Sequence, residues 1–599
     1  MGERQKKRSE IDEAYKWRIE DIFVNDAAWR EEFDRAERNL DALKKYRGQL
    51  NDSRVLARCL SENDKISETM ERLYVYATMR LHENSGDSFY QGLAEQAENL
   101  AVKIMAEASF IAPEILRIDR RDIERHMDED VDLAKYRHYF DELFRSKEHI
   151  LDTETERLLA EASEIGSAPD NIFSMLNDAD MKFGFVKDKD GRDVELTHGK
   201  FTSFMESRDR MVRKAAFETY YDAFFKLKNT IAATYGASVK KDVFFAKSRK
   251  YASSLDAALF AYNIPKDVYT SLIAAVNEFL PALRGYIKLR KKTLGVDELH
   301  MYDLYTPIVA DADTSVSYQE AKTLALEAFS PLGAEYSATV ARALENGWID
   351  VYENEGKRGG AYAWGAYGAH PYILLNFDNK INDAFTLAHE MGHAMHSYYT
   401  WETQPYVYAD YTIFVAEVAS TVNERLFMEH LLKKTDDATM RAYLINYFLE
   451  QFRGTVFRQT MFAEFEMKTH EMSENGEPLT VETLSSLYRG LNEKYYGDGI
   501  TIDSRISLEW ARIPHFYNAF YVYQYATGFS AAVALSERIL TEGEPAVNDY
   551  INFLKSGSSD YSINLLKKAG VDMSSPEPVR KALEKFAELC ERLKDMLNA

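Results

Sequence analysis

Along most of the chain, apolar side chains recur every three or four positions, the spacing that gathers them on one face of an α-helix. Residues from about 10 to 165 read as successive amphipathic helices, with stripes such as Leu73, Tyr76, Ala77, Met79 and Leu81. The period changes at 183–197 (FGFVKDKDGRDVELT), where two short alternating runs flank Asp190-Gly191 and predict a β-hairpin. Helical spacing then returns through about 293, with Pro265 opening one helix and Pro281 lying inside or between others. Residues 302–309 read as a short extended piece, and 317–346 as helix again. The stretch 356–370 (GKRGGAYAWGAYGAH) has no regular period, and 372–377 (YILLNF) reads as a strand. A long helix follows, capped at Asn382 or Asp383, and from about 411 to the end the pattern is almost wholly helical. The expected fold is mainly α with a small β element beside the helix that opens near 382. The expected organisation is an N-terminal helical region, 1–195, ending in the hairpin, and a region at 196–599 that carries the chemistry.

Composition sharpens this in three ways. Only 13 Pro and 28 Gly punctuate 599 residues, as suits long helices. The net charge of −23 argues against nucleic acid as a partner, because neutralising phosphates takes clustered Lys and Arg, and it disfavours a membrane surface. Two cysteines, Cys59 and Cys590, are too few for a disulfide framework or a thiolate metal site. No secretory apolar segment and no run of about 18 apolar residues is present, so the expected address is the cytoplasm.

The candidate chemistry lies in the helix after 382. His389-Glu390-Met391-Gly392-His393 is an H-E-x-x-H motif. Residues four apart share a helix face, so His389 and His393 can point at one cation, and neutral imidazole is a good zinc ligand. Glu390 is turned by about 100° from them, which follows from 3.6 residues per turn. It would miss the metal and reach a metal-activated water as general base. The surrounding Ala384, Phe385, Leu387, Ala388, Met391, Ala394 and Met395 predict a buried helix, where two His and a Glu need partners. The metzincin pattern fails, since His396 and Tyr399 stand where it requires Gly and His. A carboxylate from a later helix is the alternative. In 411–432, Phe414, Val415, Val418, Val422 and Leu426 form an apolar stripe, and Glu417 is a lone acid in its first half. Glu417 is therefore the expected third ligand of one zinc ion. Glu424, on nearly the same face, either hydrogen-bonds a ligand imidazole from behind or pairs with Arg425. His396 either supports the ligands in the same way or is a core histidine.

Two further segments bear on peptide chemistry. Residues 513–528 carry His515, Tyr517, Tyr521, Tyr523 and Tyr525, with Tyr517, Tyr521 and Tyr525 four apart and so expected on one helix face. With His515, this group is a source of donors for a negative oxygen, with Tyr517 and Tyr525 the expected tyrosines. The loop 356–370, through Gly359, Gly360, Tyr362 and Tyr367, would contact substrate, with the edge of strand 372–377 pairing to a peptide backbone.

LAHEMGHAMHSYY, with QPYVYADYTIFVAEVASTVNE after it and GGAYAWGAYGAHPYILLNF before it, resembles the thimet oligopeptidase family, in particular its oligoendopeptidase F branch. IPHFYNAFYVYQYATGFSAA, KWRIEDIFVNDAAWREEF and KKTLGVDELHMYDLYTPIV extend the likeness over most of the chain. The family pattern falls on His389, Glu390, Gly392, His393, His396 and Glu417. The resemblance implies one zinc, endopeptidase action on oligopeptides, two helical lobes around a deep substrate channel, and contacts from His515 and nearby tyrosines to the oxyanion or substrate. An exopeptidase on the same scaffold is the alternative within enzymes, with Arg358 a candidate to grip a free carboxylate. An inactive peptide-binding protein is the alternative outside them, and an intact Glu390 argues against it.

Overall fold

The computed structural model describes residues 4–309 and 315–598. The fold is mainly α. In chain order, the elements that bear on function are α1 (Ser53–Glu83), α2 (Ser88–Ala108), β1 (Phe185–Lys187), β2 (Asp193–Glu195), α3 (Arg210–Ser248), β3 (Ile349–Asp350), β4 (Tyr362–Trp364), β5 (Tyr372–Leu374), α4 (Ile381–Thr403), α5 (Ile413–Lys434), α6 (Arg458–Glu474) and α7 (Tyr523–Glu542).

Local signals account for most of these boundaries. The Asp52 side chain accepts the N–H groups of Arg54 and Val55 and starts α1. β1 and β2 pair antiparallel with Val186 opposite Val194, and Gly191 turns the hairpin at φ +78°. Three expectations shift. α4 starts at Ile381, ahead of the expected cap, because the Asp383 carboxylate reaches back to the N–H groups of Asp378 and Lys380 (both 2.9 Å). Residues 302–309 do not form a strand; a 3₁₀ turn spans Met301–Asp303, since Asp303 caps the His300 N–H at 3.0 Å and anchors to Arg213 at 2.6 Å. The helix expected over 317–346 is two helices, Tyr318–Ala328 and Ala334–Glu345, parted at Gly333, whose φ is +92°.

The chain divides into two compact units, and the expected boundary near 195 does not coincide with them. One unit comprises Met1–Glu148, Thr314–Leu431 and Leu535–Gly570; the other comprises His149–Asp313, Leu432–Ala534 and Val571–Ala599. Each is assembled from segments distant in sequence, which helical periodicity cannot pair. In the second unit, for example, Phe173 stacks on Tyr517 at 4.4 Å.

In the first unit, Trp17, Ile19 and Trp29 pack with Leu73 and Tyr76 of α1, Leu93 and Ala97 of α2, and Tyr372 and Leu374 of β5. Fully burying an aliphatic or aromatic side chain of this size contributes about 1.5–3 kcal/mol, so this core ties the small sheet firmly to α1. The strand order is β3-β5-β4, with β3 parallel and β4 antiparallel to β5. β5 is thus the central strand, buried throughout.

The second unit centres on α3 and α6. Its buried acids are mostly matched by cations: Asp303 with Arg213 (2.6 Å), Glu509 with Arg458 (2.6 Å) and Glu464 with Lys494 (2.7 Å). Such pairing offsets the cost of removing charge from water.

Candidate metal centre

α4 and α5 meet at Gly392. A Cβ there would lie 2.5 Å from the Ala419 carbonyl oxygen and from Ser420 Cα, so only glycine lets the two backbones approach this closely. That approach brings Glu417 of α5 to the two motif histidines of α4. Donor atoms of His389, His393 and Glu417 all lie within 4.8 Å of one another. The Nε2 atoms of His389 and His393 are 3.2 Å apart, and each is near Glu417 Oε2, at 3.4 and 3.5 Å.

The donor set fits zinc. Atoms about 2.0–2.1 Å from a shared tetrahedral centre are separated by roughly 3.3 Å, close to these three distances. Two imidazoles and one carboxylate are also the ligand types that suit this ion. The histidines are part-exposed, His389 at 28% and His393 at 18% of side-chain area, so solvent reaches the site.

Supporting contacts orient two of the three donors. Glu424 Oε1 takes a 2.5 Å hydrogen bond from His389 Nδ1, which leaves Nε2 facing the other donors. Of the two partners expected for Glu424, the structure thus provides the imidazole. Ser420 Oγ donates to Glu417 Oε2 at 3.0 Å, a contact whose only signal in the sequence is a hydroxyl three residues after the acid. Burial opposes charge on both His389 and Glu417. Glu424 nonetheless carries His389 up to about 9, and His393 foremost holds Glu417 down to about 2. Glu390 is 7% exposed, and burial pushes its carboxyl above the usual range against the pull of both histidines and the Ala363 N–H. His396 does not join the three donors. Its ring lies face to face with Tyr411 (centroids 3.7 Å, planes 3° apart), and burial pushes it down to about 3.

The glycine-rich stretch is held in place on several sides. A Cβ at Gly356 would strike Asn84 Oδ1, and one at Gly365 would meet Trp401 and Pro371. Lys357, with no exposed side-chain area, pairs with Asp350 at 2.7 Å. Tyr362 Oη bonds His82 Nδ1 (2.6 Å) and Tyr367 Oη donates to the Gln404 carbonyl (2.8 Å), so both hydroxyls are engaged within the fold. Arg358, expected to grip a carboxylate, is held by His82 Nε2 at 2.7 Å. Gly359 and Gly360 are exposed, and the Gly360 carbonyl takes a bond from Asn376. The strand edge expected at 372–377 is not available, because β5 is paired on both sides; β3 and β4 are the outer strands of this sheet, each paired to β5 alone. Ala363 of β4 sits opposite Ile373, whose own N–H goes to the Trp348 carbonyl.

In the second unit, Tyr517, Tyr521 and Tyr525 do not share a helix face. A 3₁₀ turn covers Pro514–Tyr517, and α7 starts only at Tyr523. Between them Phe520 has φ +58°, which breaks the helical register. His515, Tyr521 and Tyr525 come together instead: Tyr525 Oη is 3.4 Å from His515 Nε2, and the Tyr521 ring is 5.9 Å from His515 and 5.4 Å from Tyr525. Tyr517 turns inward onto Phe173, and Tyr523 onto Tyr269. Burial, then the Arg458 charge, push His515 below its ordinary pKa.

Comparison with known proteins decides the family. The model of peptidase family M3 matches residues 203–585, well over half of the chain, and that of oligopeptidase F matches 114–183. The chain belongs to peptidase family M3. It is an enzyme, a metalloendopeptidase like oligoendopeptidase F. Oligopeptidase PepF of Bacillus subtilis is 51% identical, over 98% of this chain and 88% of its own length. Group B oligopeptidase PepB of Streptococcus agalactiae is 43% identical over 98% of both chains. Among solved structures, oligoendopeptidase-F from Enterococcus faecium is 37% identical with a TM-score of 0.75, over 96% of this chain and 99% of its own. A Chlamydophila abortus crystal structure is 36% identical with a TM-score of 0.92, over 99% of this chain and 100% of its own.

Proposed function

We propose that this M3 peptidase is a zinc-dependent endopeptidase that cuts internal bonds of oligopeptides, with His389, His393 and Glu417 as ligands and Glu390 as general base. The convergence of the three donor atoms beside Glu390 carries the reading. The relatives named for oligopeptide cleavage supply the substrate class. Zinc at this site supplies Lewis acidity toward the scissile carbonyl and toward water.

The chain's own groups do the rest. Glu390 takes a proton from the attacking water and passes it to the departing amide nitrogen. Its buried carboxyl, raised in basicity by desolvation, suits both halves of that task. Glu424 keeps His389 in the tautomer that presents Nε2. The open edge of β4 offers main-chain partners to an extended peptide, which explains binding with little demand on side chains. His515 and Tyr525 are assigned as donors to the negative oxygen, on the family resemblance and on their mutual contact. The cytoplasm is the assigned address, and the buried free thiols Cys59 and Cys590 suit a reducing compartment.

The test is an internally quenched peptide, blocked at both ends, offered to wild type and Glu390→Gln with zinc measured in each. About one zinc per chain in both, with cleavage by wild type alone, is expected. Cleavage by Glu390→Gln removes the assigned base. Zinc in both without cleavage by either removes the endopeptidase reading.

A further inference from the structure

Glu466 is the exception among the buried acids of the second unit. It sits on α6 with none of its surface exposed, and no Lys or Arg among the described residues faces it. Oε1 accepts one hydrogen bond, from the Phe520 backbone N–H at 3.1 Å, and Oε2 has no partner among the described residues. Among the described residues the one other ionisable group that bears on it is a second acid, Asp242, and burial pushes the Glu466 carboxyl well above its usual range. A lone buried carboxyl is an expensive way to satisfy one amide.

The amide it holds belongs to a strained residue. Phe520 has φ +58°, a region that strains a bulky side chain and persists where the surroundings over-determine it. Here they do. Beyond the Glu466 hydrogen bond, the Phe520 ring packs on His470 at 4.5 Å and edge-on to Tyr269 at 5.9 Å. His470 is fixed in turn through Nδ1 to the Glu466 carbonyl (2.8 Å) and Nε2 to Asp242 (3.3 Å). One turn of α6 thus grips Phe520 by backbone and by ring.

The consequence lies on either side of Phe520. Left-handed backbone at this one residue lets the chain leave the 3₁₀ turn bearing His515 and enter α7 with Tyr521 and Tyr525 turned back on His515. We propose that Glu466 is a positioning residue for the reaction: its Oε1 fixes the turn at Phe520 and thereby the mutual geometry of His515, Tyr521 and Tyr525. The inference rests on the role assigned above to His515 and Tyr525, and it adds a residue that touches neither substrate nor metal.

Two substitutions separate reach from charge. Glu466→Gln keeps the acceptor at the same distance and is expected to stay within twofold of wild type in kcat. Glu466→Asp keeps the carboxyl but draws it one methylene short of the amide, and kcat is expected to fall tenfold or more with KM within twofold and zinc content unchanged. The loss should vanish in the background of His515→Ala, because both changes disable one group. Where Glu466→Asp does not fold, Glu466→Met, of similar volume and without an acceptor, takes its place in the same cycle. Full activity in Glu466→Asp or Glu466→Met beside an impaired His515→Ala overturns the inference. So does a loss that multiplies with that of His515→Ala, which marks a general structural effect. Full activity in His515→Ala itself overturns the assignment of His515, and with it the inference, an outcome distinct from the other two.

Discussion

His82 shows how much one side chain can settle. Its Nε2 faces the Arg358 guanidinium at 2.7 Å and must accept, so the proton sits on Nδ1 and is donated to Tyr362 Oη. A second proton would set N–H against Arg358, and burial together with that charge pushes the pKa down to about 4. The unfolded chain, with its His near 6.5, takes up the proton first as pH falls. The stability carried by neutral His82 is therefore complete above about 6.5 and is lost as pH falls toward 4, a span of about 3 kcal/mol. Melting wild type and His82→Gln across that range should give a shallower slope for the variant, and parallel slopes would refute the assignment. At this scale the expected common helix face of Tyr517, Tyr521 and Tyr525 fails because residues of one type differ only in what surrounds them. Tyr517 and Tyr521 look alike in the chain, yet one is stacked on Phe173 and the other faces His515.

At the scale of elements, the metal site depends on the spacing of α4 and α5. Gly392→Ala places a methyl 2.5 Å from the backbone of α5, and a backbone cannot swing aside as a side chain can. Overpacking of this kind typically costs about 1–3 kcal/mol. It would also move Glu417 away from His389 and His393, so a lowered Tm and weakened zinc binding are expected together in thermal melts and chelator competition. An alanine variant with unchanged Tm and zinc affinity would show that the close approach is not required. The small sheet teaches the converse lesson. YILLNF reads as a strand from its composition, but its central place between β3 and β4, and hence which edge stays open, comes from long-range pairing.

For the whole molecule, the proposed ligands sit on long helices that pack through apolar side chains of their own. Ala388, Met391 and Ala394 of α4 and Val418, Ala419 and Val422 of α5 are all buried, and Glu424 and Ser420 hold two of the ligands from behind. Stripping the metal is thus expected to abolish cleavage while the far-ultraviolet circular dichroism stays that of a helical protein. Zinc at a hundred times its Kd should then restore activity and stabilise the fold by about 2.7 kcal/mol, read as a rise in Tm. Collapse of the helical signal on chelation would show that the site is part of the folding core.

What the sequence by itself determined is what the chain encodes over one or two helical turns. The mainly α character follows from apolar spacing, the facing of His389 and His393 from their four-residue separation, and the singling out of Glu417 from a lone acid on an apolar helix. The family resemblance could be read from the same short runs. Tertiary structure alone decided how those pieces meet. It drew 1–148, 314–431 and 535–570 into one unit, and turned β4 rather than β5 to the open edge. It also set Glu424 behind His389, and spent a buried Glu466 on the backbone of Phe520. The reason is physical: periodicity reports which face of an element is buried, whereas the partner that buries it is chosen by shape and charge across hundreds of residues of chain.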